Sequence, residues 1–215
     1  MSIRRSAVAI LLAFLLSAAT AGALDVAAGR MRLTLDEQTG RFSLSAQTKG
    51  TSGIFVPLLA AEDPRTTTLS IVVGNKVYRM GESGDFVQTA EKTANGARFT
   101  WKSPVLQVTE SFSFTASADS TVVNGVRVDI ALKNLSEQDL VVGVRYLFDT
   151  YLGESSFVHF RTPSLNQVAR ELVLPTGTAW WSSPLAGDAD EFGLQVMTAG
   201  QGITTPDKVV FANWK

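Results

Sequence analysis

Beyond its first two dozen residues the chain is patterned at a period of two, apolar and polar residues alternating, and no long stripe at helical spacing interrupts it. Alternation at that period sends successive side chains to opposite faces of an extended strand, so such a chain buries one face of a sheet. Met31-Arg32-Leu33-Thr34-Leu35-Asp36 and Arg41-Phe42-Ser43-Leu44-Ser45 alternate on either side of Glu37-Gln38-Thr39-Gly40, where the glycine supplies the positive φ that a short hairpin needs. Two more hairpins are written the same way. Leu69 to Val73 and Val77 to Met80 flank Gly74-Asn75-Lys76, while Phe86 to Ala90 and Ala97 to Lys102 flank Thr93-Ala94-Asn95-Gly96. Val108, Glu110, Phe112 and Phe114 alternate with polar residues, and Val126, Val128, Ile130 and Leu132 form an apolar face opposite Arg127, Asp129 and Ala131, which predicts two long core strands. A third strand, Leu140 to Phe148, is largely apolar on both faces, which predicts cover on both sides and a place at the centre of a sandwich. The expected fold is all-β, an antiparallel β-sandwich forming a single domain over residues 24–215, with Trp214 either anchored in its core or preceding further chain.

The leading segment is of another kind. Arg4 and Arg5 precede the apolar run Ala7 to Leu16, and small residues follow it to Ala21-Gly22-Ala23, the three-part layout of a secretory signal peptide over residues 1–23. The run is shorter than the roughly 20 residues that span a bilayer, so no membrane span is expected after cleavage. The residues around Arg4-Arg5 lack the rest of a twin-arginine pattern, and attachment of lipid at the cleavage site needs a cysteine that the chain does not have. Periplasmic or extracellular location follows as an expectation.

Composition removes much chemistry. With no cysteine and one histidine, thiol nucleophiles, disulfides, thiolate zinc sites and His-rich metal sites are excluded. Loss of Arg4 and Arg5 takes the formal net charge from −1 to −3, and no basic stripe suited to a phosphate backbone is present, so nucleic acid is not an expected partner. Phosphate-binding glycine loops, a Gly-x-Ser-x-Gly elbow and His-Glu-x-x-His are missing, and nothing signals a cofactor. Asn134-Leu135-Ser136 matches a glycosylation sequon but sits in a polar corner where a turn suffices as explanation, and Gly187-Asp188-Ala189-Asp190-Glu191 lacks the spacing of a calcium loop.

The candidate site residues lie in the last third. Arg145 and Asp149 share a strand face but stand about 13 Å apart along it, so each needs a separate partner: a structural one, such as the backbone of the following loop for Asp149, or alternatively a ligand or partner protein. Phe157 to Arg161 reads as a strand with His159 and Arg161 on one face. Trp180-Trp181 on a strand sends its two indoles to opposite faces; either both are packed, or one joins the core and the other is exposed, where it can stack on a sugar ring or anchor a protein. Tyr151 and Glu154 fall in the loop between Asp149 and His159.

The corner Ala131-Leu132-Lys133-Asn134-Leu135-Ser136, running into Gly143-Val144-Arg145, Asp149-Thr150 and Leu152-Gly153, resembles exported β-sandwich proteins found among spirochaetes and other bacteria. More distantly it is similar to the supersandwich domains of the galactose-mutarotase-like group. The second resemblance implies a histidine acid and a carboxylate base, which here point to His159 and Glu154; the group's further histidine and carboxylate have no counterpart. Three readings of function follow. The leading one is a non-enzymatic exported protein that binds another cell-envelope component, most readily a protein, through sheet edges or the loops around Tyr151 to Ser156 and Trp180-Trp181. The second is a carbohydrate-binding module taking a glycan on the same aromatic surface, and the third a mutarotase-like enzyme.

Overall fold

The computed structural model describes residues 22–48, 53–60, 67–150, 152, 159–185 and 192–212. Fifteen strands and no helix are found among them, and every strand pairing is antiparallel. The first sheet runs β1 (Ala23–Ala28), β2 (Met31–Asp36), β3 (Arg41–Gln47), β4 (Phe55–Pro57). A second has β7 (Val87–Thr93), β8 (Gly96–Lys102), β9 (Leu106–Thr115) and β10 (Gly125–Asn134) side by side. A third, smaller sheet is ordered β11 (Val142–Leu147), β5 (Thr68–Val73), β6 (Lys76–Arg79). Two ribbons complete the description, β12 (Leu172–Leu174) with β15 (Val209–Phe211) and β13 (Trp180–Pro184) with β14 (Gly193–Met197). The chain is an antiparallel β-sandwich.

Register follows the alternation. Leu33 opposes Leu44 and Leu35 opposes Phe42 across β2 and β3, so one face of the first sheet is apolar and buried. Across the second sheet Phe99, Glu110 and Ile130 form one row, and Ala97, Phe112 and Val128 the next. The two faces meet where the rings of Phe42 and Phe112 lie 4.7 Å apart, and Tyr146 of β11 stands 6.3 Å from Phe42. Each Leu or Phe taken out of water here contributes about 1.5–3 kcal/mol. A second, smaller core gathers Val168, Trp181 and Phe211 with Phe160 and Leu172, and Phe148 packs against both cores.

The three sequence hairpins are present, those of β5–β6 and β7–β8 with tighter turns than the pattern alone gives. Two expectations are corrected. The third long strand is neither central nor covered on both sides: β11 spans six residues at an edge, with Gly143, Val144 and Arg145 exposed. Beyond β5 it has no neighbouring strand among the described residues. Likewise Phe160 and its neighbours form no named strand; Arg161 makes an isolated bridge to Ser182 and Thr162 one to Leu165, while 157 and 158 lie outside the described residues.

A close backbone approach ties the first sheet to the segment after β6. Arg41, at the start of β3, is only 2% exposed and donates to the Met80 carbonyl at 2.8 Å and to the Glu82 carboxylate at 2.5 Å. Beside it Gly81, at φ +86°, lies so near the β2–β3 turn that an added Cβ would stand 1.8 Å from the Thr39 carbonyl oxygen. Gly74 also has positive φ, +57°, but open space around it. Gly74→Ala should therefore cost about 1 kcal/mol of unfolding free energy, the left-handed penalty alone. Gly81→Ala should cost at least twice that, because backbone must move as well. Equal losses in denaturant unfolding would contradict the close approach.

Candidate functional site

Pairing of β11 with β5 and of β5 with β6 sets Arg145, Ser70 and Arg79 in one row across the outer face of the third sheet, with Gly143, Val72 and Val77 in the next. Ser70, in the middle of the row, is buried, while Arg145 and Arg79 stand exposed at its two ends. Val77, Arg79, Glu82, Ser83 and Arg145 line an open cleft of about 500 Å³. Its charge is set from below. Glu82 gives Oε1 to the buried Arg41 and holds Arg79 only at 3.6 Å, between side chains 61% and 46% exposed. Arg145 has no hydrogen bond or ion pair among the described residues, so the separate partner it was expected to need is not found among them. A second cleft, of about 290 Å³, lies between β6 and the turn preceding β9; its charged pair, Lys76 and Asp85, is closed on itself at 2.6 Å.

Behind this face the core holds a second polar group. Glu110 is 1% exposed, in register with the apolar residues of β9, and accepts a hydrogen bond from the Tyr146 hydroxyl. Burial pushes the Glu110 carboxyl up to about 7, against the opposing pull of the Tyr146 hydrogen bond and the nearby Arg41 charge. The Tyr146 hydroxyl is raised well above its ordinary range, by burial first and then by Glu110. Glu110 lines neither cleft. It ties β9 to β11.

The remaining candidates are not brought together with Arg145. Asp149 follows β11, where its backbone N–H donates to Thr67 Oγ1 at 3.2 Å and its carbonyl accepts from Ala60. Trp181 is buried in the smaller core, edge-on to Phe160 and Phe211, and Trp180, on the opposite side of β13, is half-buried. Arg161 exchanges backbone hydrogen bonds with Ser182. His159 is half-buried beside the Phe160 ring, and no hydrogen bond or ion pair joins it to a carboxylate among the described residues. Tyr151, Glu154 and the acidic stretch Gly187 to Glu191 lie outside the described residues. Sequence reasoning passed over Arg41, Arg79, Glu82 and Glu110; only Glu110 carried a signal, a carboxylate at an apolar position of an alternating strand.

No protein-family model, curated protein or solved structure matches the chain, and the reading of its function rests on its own geometry.

The Glu110 carboxyl gives a pH test. Between about pH 4.5 and 7 the folded chain holds a proton that the unfolded chain has released, so this group makes stability fall as pH rises through that window, by on the order of 3 kcal/mol. Glu110→Gln, which can still accept from Tyr146, should remove that slope and match or exceed the wild type at pH 8 in urea unfolding. A stability difference between the two that stays constant with pH would contradict the buried titration.

Proposed function

We propose that the chain is an exported, non-enzymatic β-sandwich that binds another component of the cell envelope, a protein, by strand pairing along β11. Export is supported by the basic, apolar and small-residue order of the leading segment. The observation that carries the binding reading is the uncovered edge of β11. Its inner side is hydrogen-bonded to β5, and alternate N–H and C=O groups on its outer side point away from the sheet with no second strand beside them among the described residues.

Such an edge is a template for an added strand, and folded proteins blunt edges with charge. Three of the other edges carry two or three charges, Lys76 and Arg79 on β6, Glu91 and Lys92 on β7, and Arg127, Asp129 and Lys133 on β10, whereas β11, like β1 with Asp25, carries a single one, Arg145. β11 reads Val-Gly-Val-Arg-Tyr-Leu, with Val144 49% exposed and the preceding Val141 86% exposed. A glycan-binding surface has less support, because Trp180, the indole left to face outward once Trp181 is buried, is itself half-buried.

The test is capture from the native envelope by residues 24–215, with and without a free-sugar competitor. Val144→Asp places a charge on the edge, and Val87→Asp places one on the 73% exposed Val87 of β7 as a control. Proteins retained by the wild type and by Val87→Asp should fall at least about tenfold with Val144→Asp while the melting temperature moves by less than about 3 °C. Retention indifferent to Val144→Asp, or abolished by the sugar, would contradict the reading.

A further inference from the structure

The chemistry of the strand that fits β11 is written on its two faces. Side chains of an added strand alternate as those of β11 do, so every second residue would lie over the outer face, beside Arg145 and Gly143, and the others beside Val144 and Tyr146. On the outer face the guanidiniums of Arg145 and Arg79 stand two strands apart at the ends of the row through Ser70. Among the described residues the cleft is lined by two guanidiniums, those of Arg79 and Arg145, and one carboxylate, Glu82, whose Oε1 is already held by the buried Arg41. The described lining therefore carries an excess of positive charge, in a chain whose formal net charge is −1. Gly143 adds no side chain to obstruct approach along this face, and Val77 floors its far side. The opposite face of the edge offers Val144, apolar and half exposed.

Resting on the edge-pairing reading, we infer that the cleft framed by Arg79 and Arg145 selects an acidic strand: a protein segment that alternates carboxylate residues, facing the two guanidiniums, with apolar residues facing Val144. Carboxylates suit the site because a guanidinium offers paired N–H donors that match the two oxygens of a carboxylate. Glycine at 143 leaves room for the acidic side chain two residues from the one opposite Arg145. The charge excess adds attraction during approach, and that part weakens with salt.

The probe is a capped, fluorescently labelled hexapeptide of alternating valine and glutamate, matching the six residues of β11, with the glutamine analogue and a fully N-methylated glutamate version as companions. Fluorescence anisotropy on the mature chain should show the glutamate peptide binding about tenfold tighter than the glutamine peptide at low salt. Arg145→Gln should remove most of that ratio and Arg79→Gln part of it, with binding of the glutamine peptide unchanged. The N-methylated peptide, which keeps its charges but loses most backbone donors, should not bind. Equal affinity of the glutamate and glutamine peptides, or a ratio indifferent to Arg145→Gln, would overturn the acidic selection while leaving edge pairing standing. Binding of the N-methylated peptide as tight as that of its parent would overturn edge pairing itself, and no binding by any of the three would overturn both.

Discussion

The guanidinium of Arg41 is the constraint on which the rest depends. A charge that is 2% exposed needs an opposite charge and hydrogen-bond acceptors within reach, and removing one partner of such a buried pair costs about 3–5 kcal/mol. Arg41 finds its partners on the chain leaving β6, the Met80 carbonyl and the Glu82 carboxylate, while its Nε is left without a partner. Reaching them draws that chain over the β2–β3 turn until Gly81 meets Thr39, a contact open only to glycine. Next to the same turn, Gln88 donates to the Glu37 carbonyl and accepts from the Trp101 indole, which brings in the second sheet. The buried charge thus ties the first sheet to the third, and Gln88 beside the same turn ties in the second. It also sets the surface: Glu82, held by Arg41, cannot fully balance Arg79, and nothing among the described residues balances Arg145.

The aromatic residues explain why the last third of the chain contributes a core more than a site. Tyr146 stacks on Phe148 at 4.4 Å, Phe148 contacts Trp181 at 6.1 Å, and Trp181 meets Phe160 and Phe211. This run of rings joins the smaller core to the larger one through the end of β11. Trp181 is therefore held on several sides, and the arrangement leaves Arg145, on the other face of the strand, as the candidate residue that faces solvent across a cleft.

Local pattern made most of the fold legible. Hairpins at Gly40 and Gly74 and the ten-residue pair β9 and β10 follow from alternation and turn chemistry, which act between near neighbours. Position within a sheet is a property of distant chain, and there the pattern of Leu140 to Phe148 misleads: two apolar faces describe an edge awaiting cover as well as a buried centre. The cleft was half legible. Arg145 stood out in an apolar strand, but Arg79 reaches it only through pairing of both β6 and β11 with β5, and Arg41 alternates with Ser43 and Ser45 as an outward residue would. Its burial comes from the segment after β6, which no spacing along β3 encodes.

The account turns on whether the outer side of β11 is open in the protein alone. Amide hydrogen exchange reads this directly, since backbone groups paired within a sheet are protected and unpaired edge groups are not. In a chain of residues 24–215 the amides of β11 that point away from β5 should exchange within a few-fold of unstructured peptide rates while their alternate neighbours, bonded to β5, are slowed by orders of magnitude. Uniform protection along Val142 to Leu147 in the isolated protein would mean that the chain covers its own edge, and would contradict the docking account at its root.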